Sequence, residues 1–153
     1  MTAQDVVAAY ISRGLTVATA ESLTAGLVAA TLADVPGASA MLRGGVVSYA
    51  NGVKSGLLGV STALLAEAGS VDARVAQEMA VGARSACGAD YAVSTTGVAG
   101  PEAHDGKPVG TVFVGVAGPD ATHALEYRFA GSRAEIREAA RDAALAALLE
   151  AVS

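Results

Sequence analysis

Apolar and polar positions alternate along this chain in short blocks, each closed by glycine, proline or a polar turn. Val6, Val7, Tyr10 and Ile11 recur at helical spacing. Thr2 to Arg13 therefore reads as a helix, with Thr2 and Asp5 a cap-like pair and Gly14 its stop. Leu15 to Ala20 is a short apolar run and reads as the first strand. A turn at Glu21-Ser22-Leu23-Thr24 leads into a helix that reaches about Ala33, where Asp34-Val35-Pro36-Gly37 stops it. Gly44 to Ser48 reads as the second strand, and Tyr49 to Lys54 as a turn into a short helical piece ending at Leu58. Helices are expected over Ser61 to Ala68 and Asp72 to Cys87, closed by Gly69 and Gly88. Tyr91 to Thr95 is the third strand. After an irregular stretch from Thr96 to Pro108, a fourth strand over Val109 to Val116 turns at Gly118-Pro119-Asp120 into a fifth, His123 to Phe129. Ser132 with Glu135 forms a capping box for a last helix to about Ala151, with Ile136, Ala140, Ala143 and Ala147 facing inward.

This order of elements fixes most of the topology. The first three strands are joined through helices, so they run parallel. The fourth follows the third without a helix and runs back antiparallel, and the tight turn reverses the fifth again. Four loops then meet at one edge of the sheet: Glu21 to Thr24, Ser48 to Lys54, Thr96 to Pro101, and Gly131-Ser132-Arg133. Open α/β sheets bind their ligands at such an edge.

Composition narrows the chemistry that edge can carry. At 153 residues with 52% hydrophobic and 4% aromatic content, the chain reads as one domain over 1–153, packed mainly by Ala, Val and Leu. A formal net charge of −5 argues against a general nucleic-acid binder. Cys87 is the single cysteine and sits in an apolar helical context, so it reads as a small core residue and permits no disulfide within the chain. No signal peptide and no span-length apolar run are evident, which gives a cytoplasmic expectation. With only two histidines, His104 and His123, and no His/Cys cluster, no metal is expected. A Ser-His-Asp triad would have to recruit His104 beside Asp105 without motif support.

The candidate site residues follow from the four loops. Ser22 and Thr24 are read at a helix start, where free N–H groups and the dipole attract oxyanions. Either residue is equally suited to be a plain N-cap, the favoured reading of that stretch taken alone. A nucleophilic serine needs a base, and Lys54 after the neighbouring strand is the candidate; the alternative is an exposed lysine on a short helix. As a base it must be neutral, which burial beside Val53, Leu57 and Leu58 would favour. Tyr49 either donates to a substrate or orients the lysine, or simply covers the core edge. Thr95 to Pro101 offers hydroxyls and backbone N–H groups suited to an anion nest. Arg133 lies in the first turn of a helix, against the dipole, which points to an anionic partner. Arg137 and Arg141 share its face, Arg141 as a solvated residue.

Five segments together resemble the motif set of the CinA C-terminal domain family, which includes stand-alone nicotinamide-nucleotide amidases. They are Ala20-Glu21-Ser22-Leu23-Thr24-Ala25-Gly26, Ser48-Tyr49-Ala50-Asn51-Gly52-Val53-Lys54, Thr96-Gly97-Val98-Ala99-Gly100-Pro101, Pro108-Val109-Gly110-Thr111-Val112, and Gly131-Ser132-Arg133 with Arg137. The resemblance implies a three-layer α/β/α domain with a mixed, mostly parallel five-stranded sheet and one antiparallel strand. It implies hydrolysis of nicotinamide mononucleotide to nicotinic acid mononucleotide and ammonia, without a cofactor. Ser22 would be the nucleophile, Lys54 the base and Tyr49 a further catalytic residue. Glu21, Thr24, Asn51, Thr96, Gly97, Gly100, Arg133 and Arg137 would bind substrate. The expected partners are a small-molecule nucleotide and a second copy of the chain in a homo-oligomer (dimer), with no nucleic acid and no membrane. Leu23-Thr24-Ala25-Gly26 stands where the family usually has Cys-Thr-Gly-Gly. Gly52 stands where it often has Glu, and Glu102 to Gly106 where it has a Gly pair. The competing expectation is a non-catalytic nucleotide-binding module, since many such domains are attached to another domain; the lack of an attachment here favours the enzyme.

Overall fold

The computed structural model describes residues 3–153. Five strands form one sheet in the order β2-β1-β3-β4-β5: β1 Val17–Glu21, β2 Leu42–Val47, β3 Tyr91–Gly97, β4 Thr111–Ala117 and β5 Thr122–Arg128. β1 pairs parallel with β2 and β3, while β4 is antiparallel to both β3 and β5. One strand is therefore antiparallel in an otherwise parallel sheet. No helix interrupts the connection from β3 to β4, as the predicted topology requires. Burial follows position in the sheet. Every residue of β1 and β4 is buried, whereas the edge strands β2 and β5 are half-buried or exposed throughout.

Helices cover both faces. Along β1 the side chains alternate: Val17 joins one core with Val28, Leu32, Met41, Ile136 and Leu148, while Ala18 and Ala20 join another with Leu58, Leu64, Val75 and Met79. The first core lies under α1 Ala3–Ser12, α2 Leu27–Ala33 and α6 Arg133–Ala151; the second lies under α3 Asn51–Leu58, α4 Thr62–Ala68 and α5 Ala73–Cys87. Local signals end these helices as the sequence suggests. The Asp72 carboxylate accepts from Arg74 N–H at the start of α5, and Gly88 at φ 62° closes it. Ser132 and Glu135 bond reciprocally at the start of α6, a device worth about 1 kcal/mol.

Several local expectations need correcting. Ile11 is 40% exposed, because the buried face of α1 is carried by Val6, Val7 and Tyr10. A 3-10 turn over Ala38–Ala40, absent from the sequence reading, delivers Met41 into the core. β2 begins two residues early, at Leu42, and β4 two residues late, at Thr111. Thr2, expected to pair with Asp5, lies outside the described residues. The helix after Ser22 starts only at Leu27, with Gly26 in the left-handed region as its N-cap and no side-chain cap. Neither Ser22 nor Thr24 caps it.

Candidate active site

The C-terminal ends of β1, β2, β3 and β5 open on one edge, and a cavity of about 420 Å³ lies there. The turn after β1 contributes Ser22 and Leu23, the segment after β2 contributes Tyr49, and the end of β3 with the loop after it contributes Gly97 through His104. The turn between α4 and α5 adds Ser70, and the start of α6 adds Arg133. Of the residues singled out from the sequence, Ser22, Tyr49, Gly97, Gly100 and Arg133 thus meet around one space. Lys54 does not line it but reaches Ser22 from beneath. Glu21, Thr24, Asn51, Thr96 and Arg137 are outside its lining.

Lys54 sits within α3 rather than in a loop, and it is only 1% exposed. It shares the buried face of that helix with Leu58, one turn on. The helix approaches α5 closely because residue 82 is glycine: a Cβ there would stand 2.0 Å from the Leu58 carbonyl oxygen. The Lys54 Nζ has three partners: Ser22 Oγ at 3.0 Å, the Ser48 carbonyl at 2.7 Å and the Tyr49 carbonyl at 3.0 Å. Carbonyls only accept, so two N–H bonds are committed to them. The third contact is to a hydroxyl, which can either accept from an ammonium or donate to the lone pair of a neutral amine. Burial pulls the Lys54 pKa from 10.5 down to about 8, against a smaller upward pull from the Asp105 carboxylate. The neutral form is accordingly within reach near physiological pH.

Around this pair the remaining residues build the frame. Glu21 is 1% exposed, and its carboxylate accepts from Val28 N–H at 2.8 Å, Ala29 N–H at 3.0 Å and Thr24 Oγ1 at 2.6 Å. It takes the place of a cap for α2, occupying donors that the sequence reading left open for a ligand. Thr24 gives its proton to Glu21, so in the 2.7 Å contact with Thr95 the donor is Thr95. Thr96 Oγ1 donates to the Ser70 carbonyl, fixing the end of β3 to the α4–α5 turn. Asn51 is exposed at the start of α3. Arg133 donates to the Gly100 carbonyl and, at 3.0 Å, to Tyr49 Oη, joining the loop after β3 to the segment after β2. Arg137 donates from Nε to the Leu23 carbonyl at 2.8 Å and from Nη2 to the Thr24 carbonyl at 3.1 Å.

The turn itself is tight. Ala25 N–H bonds back to the Ser22 carbonyl, and Ala25 adopts φ 49° with its methyl exposed. Among the described residues, the N–H groups of Leu23 and Thr24 meet no acceptor. Thr24 is fully buried outside the cavity lining, so the Leu23 N–H, on a residue that lines the cavity, is the donor that can stabilise an oxyanion formed at Ser22. Sequence reasoning missed Ser70 and the role of Asp105, whose carboxylate accepts from Ser70 N–H at 3.1 Å and lies 3.2 Å from His104 Nε2. His104 lines the cavity, but the basic group within reach of Ser22 is Lys54. Cys87 is half-buried against the second core, and the described residues hold no cluster of metal-ligating side chains.

Residues 1–152 match the CinA C-terminal domain family. A CinA-like protein of Frankia casuarinae is 52% identical over 132 residues, covering 86% of this chain and 30% of that protein. A CinA-like protein of Mycolicibacterium gilvum is 48% identical over 151 residues, covering 97% of this chain and 36% of its own length. The chain thus spans about a third of the length of these curated relatives. Among solved structures, the competence/damage inducible protein CihA of Agrobacterium tumefaciens superposes with a TM-score of 0.93 at 37% identity, covering 97% of this chain and 92% of that one. A CinA superfamily protein from Enterobacter cloacae gives 0.94 at 30% identity, covering 99% and 90%. By its sequence along nearly its whole length, and by its mixed five-stranded sheet, the chain belongs to the CinA C-terminal domain family.

Proposed function

We propose that the chain is an amidohydrolase that converts nicotinamide mononucleotide to nicotinic acid mononucleotide and ammonia through a serine–lysine acyl transfer. The observation that carries this reading is the buried Lys54 amine 3.0 Å from the Oγ of Ser22, a residue in the wall of a cavity of about 420 Å³. The choice of substrate rests on the motif resemblance of the chain to nicotinamide-nucleotide amidases.

Neutral Lys54 keeps its two N–H bonds to the Ser48 and Tyr49 carbonyls and accepts the Ser22 proton as Oγ attacks the carboxamide carbon. The carbonyl π electrons move onto oxygen, and the resulting oxyanion is held by the free Leu23 N–H of the serine turn. Donors of this kind contribute about 3–4 kcal/mol each. When the tetrahedral species collapses, the Lys54 ammonium passes its proton to the amide nitrogen, which leaves as ammonia. Water then attacks the Ser22 ester, Lys54 takes the water proton, and release of the acid returns that proton to Ser22. Arg133 and Tyr49 at the rim bind the phosphate end, a contact remote from the carboxamide that serves affinity.

The test is ammonia release from nicotinamide mononucleotide by purified protein, beside Ser22→Ala. Turnover by the wild type and its loss, by at least about 10³-fold, in a folded alanine variant is the expected result. Near wild-type turnover by Ser22→Ala would remove the serine from the chemistry. Nucleotide binding without any ammonia release would leave a binding module instead.

A further inference from the structure

Arg137 touches neither the cavity nor Lys54, yet it commits one edge of its guanidinium to the two residues after Ser22. Nε meets the Leu23 carbonyl and Nη2 the Thr24 carbonyl, an N–H fork placed on successive peptide units. In a trans peptide the C=O and the N–H of one unit point in opposite directions. Fixing the Thr24 carbonyl toward α6 therefore turns the Ala25 N–H of the same unit away from α6. That Ala25 N–H bonds the Ser22 carbonyl, which leaves the Leu23 N–H of the Ser22–Leu23 unit facing the other way. The Leu23 N–H meets no acceptor among the described residues, and Leu23 lines the cavity. The cation also sits at the carbonyl end of this single turn, where positive charge reinforces the dipole aimed at its N–H end. Ala25 at φ 49° shows that the turn is not a conformation the local sequence adopts at no cost, so an external clamp has something to hold.

We infer that Arg137 is a positioning residue that orients the oxyanion donor of the serine turn, the Leu23 N–H, and is not a substrate contact. The inference builds on the acyl-transfer reading of Ser22. It requires that loss of the guanidinium lower the chemical step and leave ground-state binding almost untouched.

Three proteins are compared: wild type, Arg137→Ala and Arg137→Lys. Each is measured by kcat and KM for nicotinamide mononucleotide, by melting midpoint, and by the rate at which a fluorophosphonate modifies Ser22. The Ser22 oxygen attacks phosphorus and fluoride leaves, and the developing oxyanion needs the same donor, so labelling reads the turn without the amide. Arg137→Ala should lose about 10²-fold in kcat, the scale of one oxyanion donor, with KM within about threefold. Labelling of Ser22 should slow in parallel. Millimolar guanidinium should restore several-fold activity to Arg137→Ala, while Arg137→Lys, which keeps the charge and loses the fork, should remain well below wild type. A loss expressed mainly in KM, a kcat within about threefold of wild type, or a folded alanine variant that guanidinium does not restore would overturn the inference. So would equal labelling of wild type and Arg137→Ala, or no labelling of wild-type Ser22. If the wild type releases no ammonia but its Ser22 is labelled, and more slowly in Arg137→Ala, the amidase reading fails while the positioning role stands.

Discussion

At the scale of single residues the site turns on the protonation of Lys54. Its burial leaves one amine with two carbonyl acceptors and one hydroxyl, a set of partners that suits a neutral amine as well as an ammonium. Because the pKa is depressed to about 8, the neutral fraction grows tenfold per pH unit below that value and levels off above it. kcat/KM should therefore rise with pH through an apparent pKa near 8 that belongs to the serine–lysine pair. A profile flat from pH 6 to 9 would show that no proton is lost from the lysine. The linked effect on stability has a definite sign. Between about pH 8 and 10.5 the unfolded chain holds the Lys54 proton more firmly than the folded one, so this group's contribution to stability increases as pH rises through that window. Glu21 shows the opposite strategy: its carboxylate is surrounded by three donors and serves α2, not a ligand.

At the scale of elements, α3 is the part whose placement the chemistry depends on. It lies against α5 with Gly82 beneath the Leu58 carbonyl, so Gly82→Ala forces the two helices apart or strains one of them. Overpacking of this kind costs about 1–3 kcal/mol. It should lower the melting midpoint, and it should lower kcat more than Gly56→Ala, where a Cβ meets nothing within 4 Å. Equal effects at the two glycines would show that the α3–α5 contact does not hold Lys54 in place. The elements were largely readable from the chain, because helical crossovers between apolar runs leave only parallel pairing, and the tight turn at Gly118 only antiparallel. The loops brought to one edge follow from that connectivity. What the chain did not disclose depends on contacts across the fold. The turn from Ser22 to Gly26 postpones α2 to Leu27, which lets Glu21 reach back to Val28 and Ala29; no local spacing announces this. Ser70 enters the cavity wall only because Asp105 and Thr96 fasten its turn to the loop after β3 and to β3 itself. Ile11 looked inward by periodicity, but the face of α1 that packs on the core is narrower than the pattern suggests.

At the scale of the whole molecule, one sheet with helices on both faces offers four chain ends to a single cavity, and no described helix is long and apolar enough to cross a membrane. The chain spans about a third of the length of its curated relatives, and the acyl-transfer account places the chemistry within this cavity. That account makes one demand that a merely cationic lysine does not: the group at position 54 must be able to give up its proton. Lys54→Arg keeps a positive charge that stays protonated throughout the working range, and Lys54→Ala removes the group altogether. The most direct measurement is kcat for ammonia release from nicotinamide mononucleotide by both variants beside wild type. Losses of about 10³-fold or more in both, with arginine recovering little over alanine, are the expected result; recovery of most of the activity by arginine would contradict the assignment of Lys54 as the base.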